Sequence, residues 1–170
     1  MEAALILPTV IFLTFGAIEF GFAFNEQGTV RAASRSAARA ASANPTVPAA
    51  DFEAAAVDAA TAVAANLVTG RPTTVWIYQA TGSGAPPASC GTGRCAQYNW
   101  NGVAFVESGT GNWNPADRRA CAGSSDRVGI YVSADHNYLT GFPAIAGEDD
   151  IELDAYTVMA LEPDPLATGC

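Results

Sequence analysis

Residues 1–24 are almost wholly apolar, and only beyond them does the hydrophobic pattern become one-sided. As a helix, Ala3 to Phe24 would rise about 33 Å, enough to cross a hydrocarbon core of roughly 30 Å. After Phe24, Arg31, Arg35 and Arg39 follow at i, i+4 and i+8 as one cationic stripe, and Val30, Ala33, Ala37 and Ala40 lie on the other side. Pro8 alone interrupts a helix as far as Ala43; it removes one backbone donor and predicts a kink in the first turns. Asn44, Pro45 and Pro48 end the run. The pattern thus predicts a helix over 1–43, apolar over 1–24 and amphipathic over 25–43, which leaves a membrane and lays one face on a head formed by 44–170.

Within the head, a second helix is expected from Asp51, as N-cap, to about Val68, closed by Gly70 and Pro72, with Phe52, Ala55, Val63 and Leu67 on its apolar side. The second half of the chain reads as short β-branched or aromatic strands bounded by Gly, Pro or Asn: Thr73–Gln79, Gly102–Glu107, Arg127–Ala134 and Ile151–Leu161. Thr81 to Cys95 reads as a long loop, and a short helix is expected from Asn114-Pro115 to Cys121. Helices followed by strands indicate an α+β fold, with the head built on a small antiparallel sheet.

Charge narrows the choice of partners. Eight arginines, no lysine and seventeen acidic residues give a net charge of −9, which argues against nucleic acid, because phosphate neutralisation needs clustered cations. Cys90, Cys95, Cys121 and Cys170 all follow the apolar run, and their spacing matches no zinc pattern. Two disulfides of an exported, loop-rich domain are expected, with three pairings open. The preferred pairs are Cys95–Cys121, across the short helix, and Cys90–Cys170, pinning the C-terminal tail; the local Cys90–Cys95 loop is the rival. A cleaved signal peptide fits poorly, since no cation precedes the apolar run and no small-x-small site ends it. The flanking arginines would place the head in the cytoplasm and the cysteines place it outside; a basic leader preceding Met1 would reconcile the two, with the head outside.

Catalysis finds no apparatus in the sequence. The single histidine, His136, adjoins Asp135 and lies near Ser133, but adjacent strand positions face opposite ways, so Asp135 could not orient it; a structural or exposed histidine is expected. The run Glu148, Asp149, Asp150, Glu152 and Asp154 lacks EF-hand spacing and reads as a solvated turn rather than a calcium site. No metal, cofactor or enzymatic activity is expected.

Three blocks resemble the TadE-like pilins, the minor pilins or pseudopilins of tight-adherence (Flp-type) pili within the type IV pilin superfamily. They are Glu2-Ala3-Ala4-Leu5-Ile6-Leu7-Pro8, Phe15-Gly16-Ala17-Ile18-Glu19-Phe20-Gly21, and the Ala/Arg segment from Val30 to Ala41. The resemblance implies a precursor cut by a prepilin peptidase, a helix held in the inner membrane and then in a filament core, and an extracellular head. It also implies other pilin subunits and the pilus assembly machinery as partners. Glu2 would take the role of the family's N-terminal glutamate, pairing with a neighbouring subunit's amine, although that glutamate is usually fifth in the mature chain and here is second. A buried carboxylate is tolerable only when paired, and the pairing fixes register; the plainer reading of Glu2 is a solvated membrane edge. Glu19 has two readings of equal weight, snorkelling to the interface or setting register against a hydroxyl or Arg31 of another subunit. Gly16 and Gly21 allow close backbone approach, and the Arg31/Arg35/Arg39 stripe reads as a contact to lipid phosphate or an acidic neighbour, or as a solvated face. The disulfide-bonded head points to a minor or tip subunit. The competing reading is a membrane-anchored adhesin whose Tyr98, Trp100 and Trp113 contact a surface.

Overall fold

The computed structural model describes residues 2–109, 111–139 and 150–165, with side chains from Ile6 onward. Helix α1 (Glu2–Ser42) runs unbroken through Pro8, and α2 (Ala49–Ala64) returns beside it. The strands are β1 (Arg71–Gln79), β2 (Cys95–Trp100), β3 (Phe105–Gly109), the two-residue β4 (Ala120–Cys121) and β5 (Ser124–Ser125), β6 (Arg127–Asn137) and β7 (Asp150–Ala160). β1, β2, β3, β6 and β7 form one sheet in the order β3-β2-β1-β6-β7, each pair antiparallel, while β4 and β5 form a separate hairpin.

Both helices cover one face of this sheet. Strand alternation turns Val75, Ile77, Val128, Ile130, Val132, Ala134 and Leu153 toward them, where they join Val30, Ala33, Ala37, Ala38 and Ala41 of α1 and Phe52, Ala56, Val57, Ala60 and Ala64 of α2 in one core. Alanine dominates the contact between the helices because it lets two backbones approach closely; the second half of α1 is therefore a core element of the head. Arg31, Arg35 and Arg39 stay exposed.

The opposite face is only partly covered. Tyr78 lies over Gly129, where an added Cβ would come 2.3 Å from the ring, and its hydroxyl donates to the Gly84 carbonyl (2.9 Å). This draws the loop after β1 onto the sheet, and with burial the Tyr78 phenol is pushed up to about 12.

Several expected details differ. The N-cap of α2 is Pro48, without a side-chain cap, so Asp51 sits inside the first turn, where its charge favours the helix dipole; the helix stops at Ala64, short of Val68. The expected loop from Thr81 ends in β2, whose Cys95–Trp100 stretch pairs between β1 and β3. The strand expected from Gly102 starts at Phe105, because Asn101 makes a turn by accepting from the Val103 and Ala104 amides through Oδ1. The expected helix to Cys121 is a single 3₁₀ turn over Pro115–Asp117.

The preferred disulfide pairing is overturned, for Cys90 is bonded to Cys95. Gly91 (φ 96°) and Gly93 (φ 61°) take left-handed conformations that fold the spacer back on itself, which a chain without glycine there would resist. Cys121 is also disulfide-bonded, to a partner outside the described residues. Cys170 lies outside the described residues, as do Glu148 and Asp149 of the acidic run and the side chain of Glu2.

Candidate functional site: the stem helix and its junction with the head

α1 has an exposed half and a docked half. Ile6, Leu7, Val10, Ile11, Phe12, Leu13, Phe15 and Ile18 are all exposed, Leu13 to 70%. The helix is long and apolar enough to cross a membrane. Gly16 and Gly21 sit in this part, and among the described residues a Cβ at either would meet nothing within 4 Å.

The head takes hold at Glu19, which is only 7% exposed. Its Oε2 accepts from the Leu139 amide (3.2 Å) and lies 4.0 Å from His136 Nε2. On the other side of the same helix Phe20 and Phe24 remain exposed, so the outward apolar face extends past the point where the inward face meets the head.

Two turns above Glu19, on the same face, Glu26 is almost completely buried. Its Oε1 accepts from the Thr69 amide (2.6 Å), the Thr69 hydroxyl (2.7 Å) and the Gly70 amide (2.7 Å). Its Oε2 faces His136 Nδ1 at 2.7 Å, which requires the proton on that nitrogen, since a carboxylate only accepts. His136 is wholly buried and bracketed by Glu26 and Glu19. Gly70 is required by this arrangement: a Cβ there would lie 2.6 Å from Glu26 Oε2 and 3.1 Å from the Asp135 carbonyl. One helix face thus uses two carboxylates to grip the α2–β1 loop and the end of β6.

This junction answers for His136, which faces the helices while Asp135, its neighbour on β6, faces the other way. The sequence reading missed Glu26 altogether; the signal was Glu19 and Glu26 at i and i+7, one face of a helix. Among the described residues, no group of three His, Cys, Asp or Glu side chains is placed to hold a metal ion.

A second polar centre, also missed, secures the α1–α2 turn. Arg118 is buried with its guanidinium 3.9 Å from the Phe52 ring centroid, donating to the carbonyls of Pro45 (3.2 Å), Val47 (2.9 Å) and Trp113 (2.5 Å). Burial lowers its pKa to about 10, partly countered by the charge of Glu53. Glu53 in turn accepts from the Tyr98 hydroxyl (2.7 Å). Burial raises the Glu53 carboxyl above its ordinary value and the Glu107 charge adds to this, although the Tyr98 hydrogen bond and Arg118 act the other way.

The aromatic set expected of an adhesin is spent on packing. Trp113 is buried edge-on against Phe52, Trp100 is edge-on against Phe105, and Tyr98 packs on the core.

No curated protein and no solved structure matches the chain. The stretch that does match a known family is the one whose geometry stands out here, the helix that is apolar and exposed in its first half and gripped by the head in its second: residues 1–39 match the family model of the TadE-like proteins.

Proposed function

We propose that the chain is a structural, non-catalytic pilin-like subunit that assembles through the exposed apolar half of α1 into a tight-adherence (type IV-like) pilus, or at its tip. The observation that carries this reading is the coincidence of the TadE-like match over residues 1–39 with a helix whose described side chains, from Ile6 to Phe24, form an exposed apolar face. Such a face must be covered by lipid or by protein. Glu2–Phe24 rises about 34 Å, which suits a membrane before assembly and a helix bundle after it. Gly16 and Gly21, which touch no side chain among the described residues that calls for glycine, suit close packing of neighbouring stems.

In this reading the inner membrane and the assembly machinery receive the subunit, a prepilin peptidase trims its precursor, and the head lies outside the cell. Glu2 is the register residue, pairing in the bundle with a neighbour's amine; Pro8 lies in the same apolar stem. The test is to isolate sheared pili from the producing cells and identify their subunits by mass spectrometry, with wild-type chain and with Glu2→Ala and Glu2→Gln. The wild type is expected in the pilus fraction with its stem helix retained, and both variants are expected to remain in the membrane. Normal entry of both variants would remove Glu2 from the mechanism, and absence of the wild type from pili would remove the reading.

A further inference from the structure

Between α2 and the β2–β3 end of the sheet lies a cavity of about 490 Å³, within the roughly 300–1,000 Å³ of small-molecule sites. Its titratable side chains are Glu53, Asp58, Glu107 and Tyr98, and Ala54 and Val57 supply part of an apolar wall. Among the described residues, no arginine or histidine lines it.

Asp58 and Glu107 are exposed and would be solvated wherever they stood; Glu53 is the informative residue, being only 7% exposed. Its Oε2 accepts from the Tyr98 hydroxyl, and its Oε1 accepts a hydrogen bond from no described residue. A buried carboxylate with one oxygen unmet is costly, and a second carboxylate on the same cavity makes it more so. Burial accordingly holds the Glu53 carboxyl above its ordinary value; the Tyr98 bond opposes this and the Glu107 charge adds to it. Arg118 relieves Glu53 only through its charge, because its Nη groups donate to the Pro45, Val47 and Trp113 carbonyls. The cavity therefore offers a cation three carboxylates and an unused buried acceptor.

We propose that this cavity binds an alkylammonium group, with the ammonium on Glu53 Oε1 among the charges of Asp58 and Glu107 and its methylene stem against Ala54 and Val57. Three properties select this chemistry. The carboxylates are not grouped for a metal ion, which asks for ligands converging on one point, whereas an ammonium directs three separate donors. A guanidinium pairs best with both oxygens of one carboxylate, and at Glu53 Tyr98 already occupies Oε2. The apolar wall suits a stem that buries its methylenes while the charged end finds its partners. The protein contains no lysine, so no side chain of its own carries this group. The inference goes beyond the subunit reading and does not depend on it.

The test uses the full chain in uncharged detergent micelles at neutral pH and low salt, titrated with putrescine, Nα-acetyl-lysine amide, Nα-acetyl-arginine amide and n-butanol. Binding is read from the amide NMR shifts of Glu53, Asp58 and Glu107. Both amines are expected to bind about tenfold or more tightly than butanol and more tightly than the arginine amide. Glu53→Gln, which keeps an acceptor for Tyr98, is expected to weaken the amines about tenfold or more, and Glu107→Gln, at an exposed position, by less. Saturating putrescine should raise the thermal midpoint of the wild type and leave that of Glu53→Gln unmoved. Putrescine binding well above the lysine amide assigns the site to a free polyamine; equal binding assigns it to a lysine side chain of a partner protein. The proposal is overturned if the amines bind no better than butanol, if the arginine amide binds as tightly as they do, or if folded Glu53→Gln binds them as the wild type does. None of these results bears on entry into pili, so the subunit reading is judged separately.

Discussion

Glu26 and His136, 110 residues apart in the chain, meet at 2.7 Å between Oε2 and Nδ1 in a site closed to solvent. The pair joins the stem helix to the end of β6. Removing either partner leaves the other buried with unmet hydrogen-bonding groups, which costs about 3–5 kcal/mol. Glu26→Ala and His136→Ala should each lower the stability of the head by that order, and the double variant should cost clearly less than the sum, because the second change removes a group already orphaned. Denaturant unfolding followed by tryptophan fluorescence measures both; additive costs would show that the two side chains act independently.

Arg118 should resist conservative replacement. Its guanidinium serves the Pro45, Val47 and Trp113 carbonyls from one plane, a geometry that lysine lacks. Arg118→Lys is expected to cost about 2 kcal/mol or more through carbonyls left without a donor. Thermal unfolding of the two proteins side by side decides it, and an unchanged midpoint would contradict the role assigned here.

Glu53 gives a pH dependence of known sign. A carboxyl held above its ordinary value binds its proton more tightly in the folded state, so the native protein loses stability as pH rises from the unfolded value through the folded one. Glu53→Gln keeps an acceptor for Tyr98 and carries no charge. The variant should match the wild type in acid, gain on it across that window, and hold a constant advantage at neutral pH. Unfolding curves collected across the acid range would show a flat difference if the buried charge costs nothing.

Truncation separates anchor from core. Removing residues 1–18 should leave a soluble head, since most of the exposed apolar stem goes and Glu19 stays. Removal of residues 1–24 takes Glu19 as well, and the loss of its bond to Leu139 should cost about 1 kcal/mol more. Removal through Asn44 strips Val30, Ala33, Ala37, Ala38 and Ala41 from the core and should cause aggregation. Size-exclusion chromatography reads all three, and a soluble, cooperatively folding product of the longest deletion would contradict the placement of α1 in the core.

The two halves of α1 were readable because helical period survives even in an alanine-rich sequence: the Val30–Ala41 face and the arginine stripe fall where the spacing puts them. All four expected strands were readable to within about three residues at each end, being β-branched or aromatic and bounded by breakers. β2 was not, since Cys-Ala-Gln-Tyr-Asn-Trp has few strand formers and becomes a strand by lying between β1 and β3. The junction was half legible. Glu19 drew attention as a carboxylate in an apolar run, but no local pattern connects it to the Leu139 amide and the His136 ring that it faces in the fold. Arg118 looked like any surface arginine, and its burial depends on carbonyls that only the folded turn presents.

The continuity of α1 has a consequence for geometry at a distance. The helix is unbroken from Glu2 to Ser42, and the head is fixed to its second half by the core and by Glu19 and Glu26. The head therefore has no azimuth of its own. A shift of one residue in how neighbours grip the stem near Ile6–Ile18 would turn the head about 100° around the helix axis while lifting it only about 1.5 Å. In a bundle of such stems, as proposed above, which face of the head looks outward would thus be set at the opposite end of the rod, by apolar contacts that never touch it.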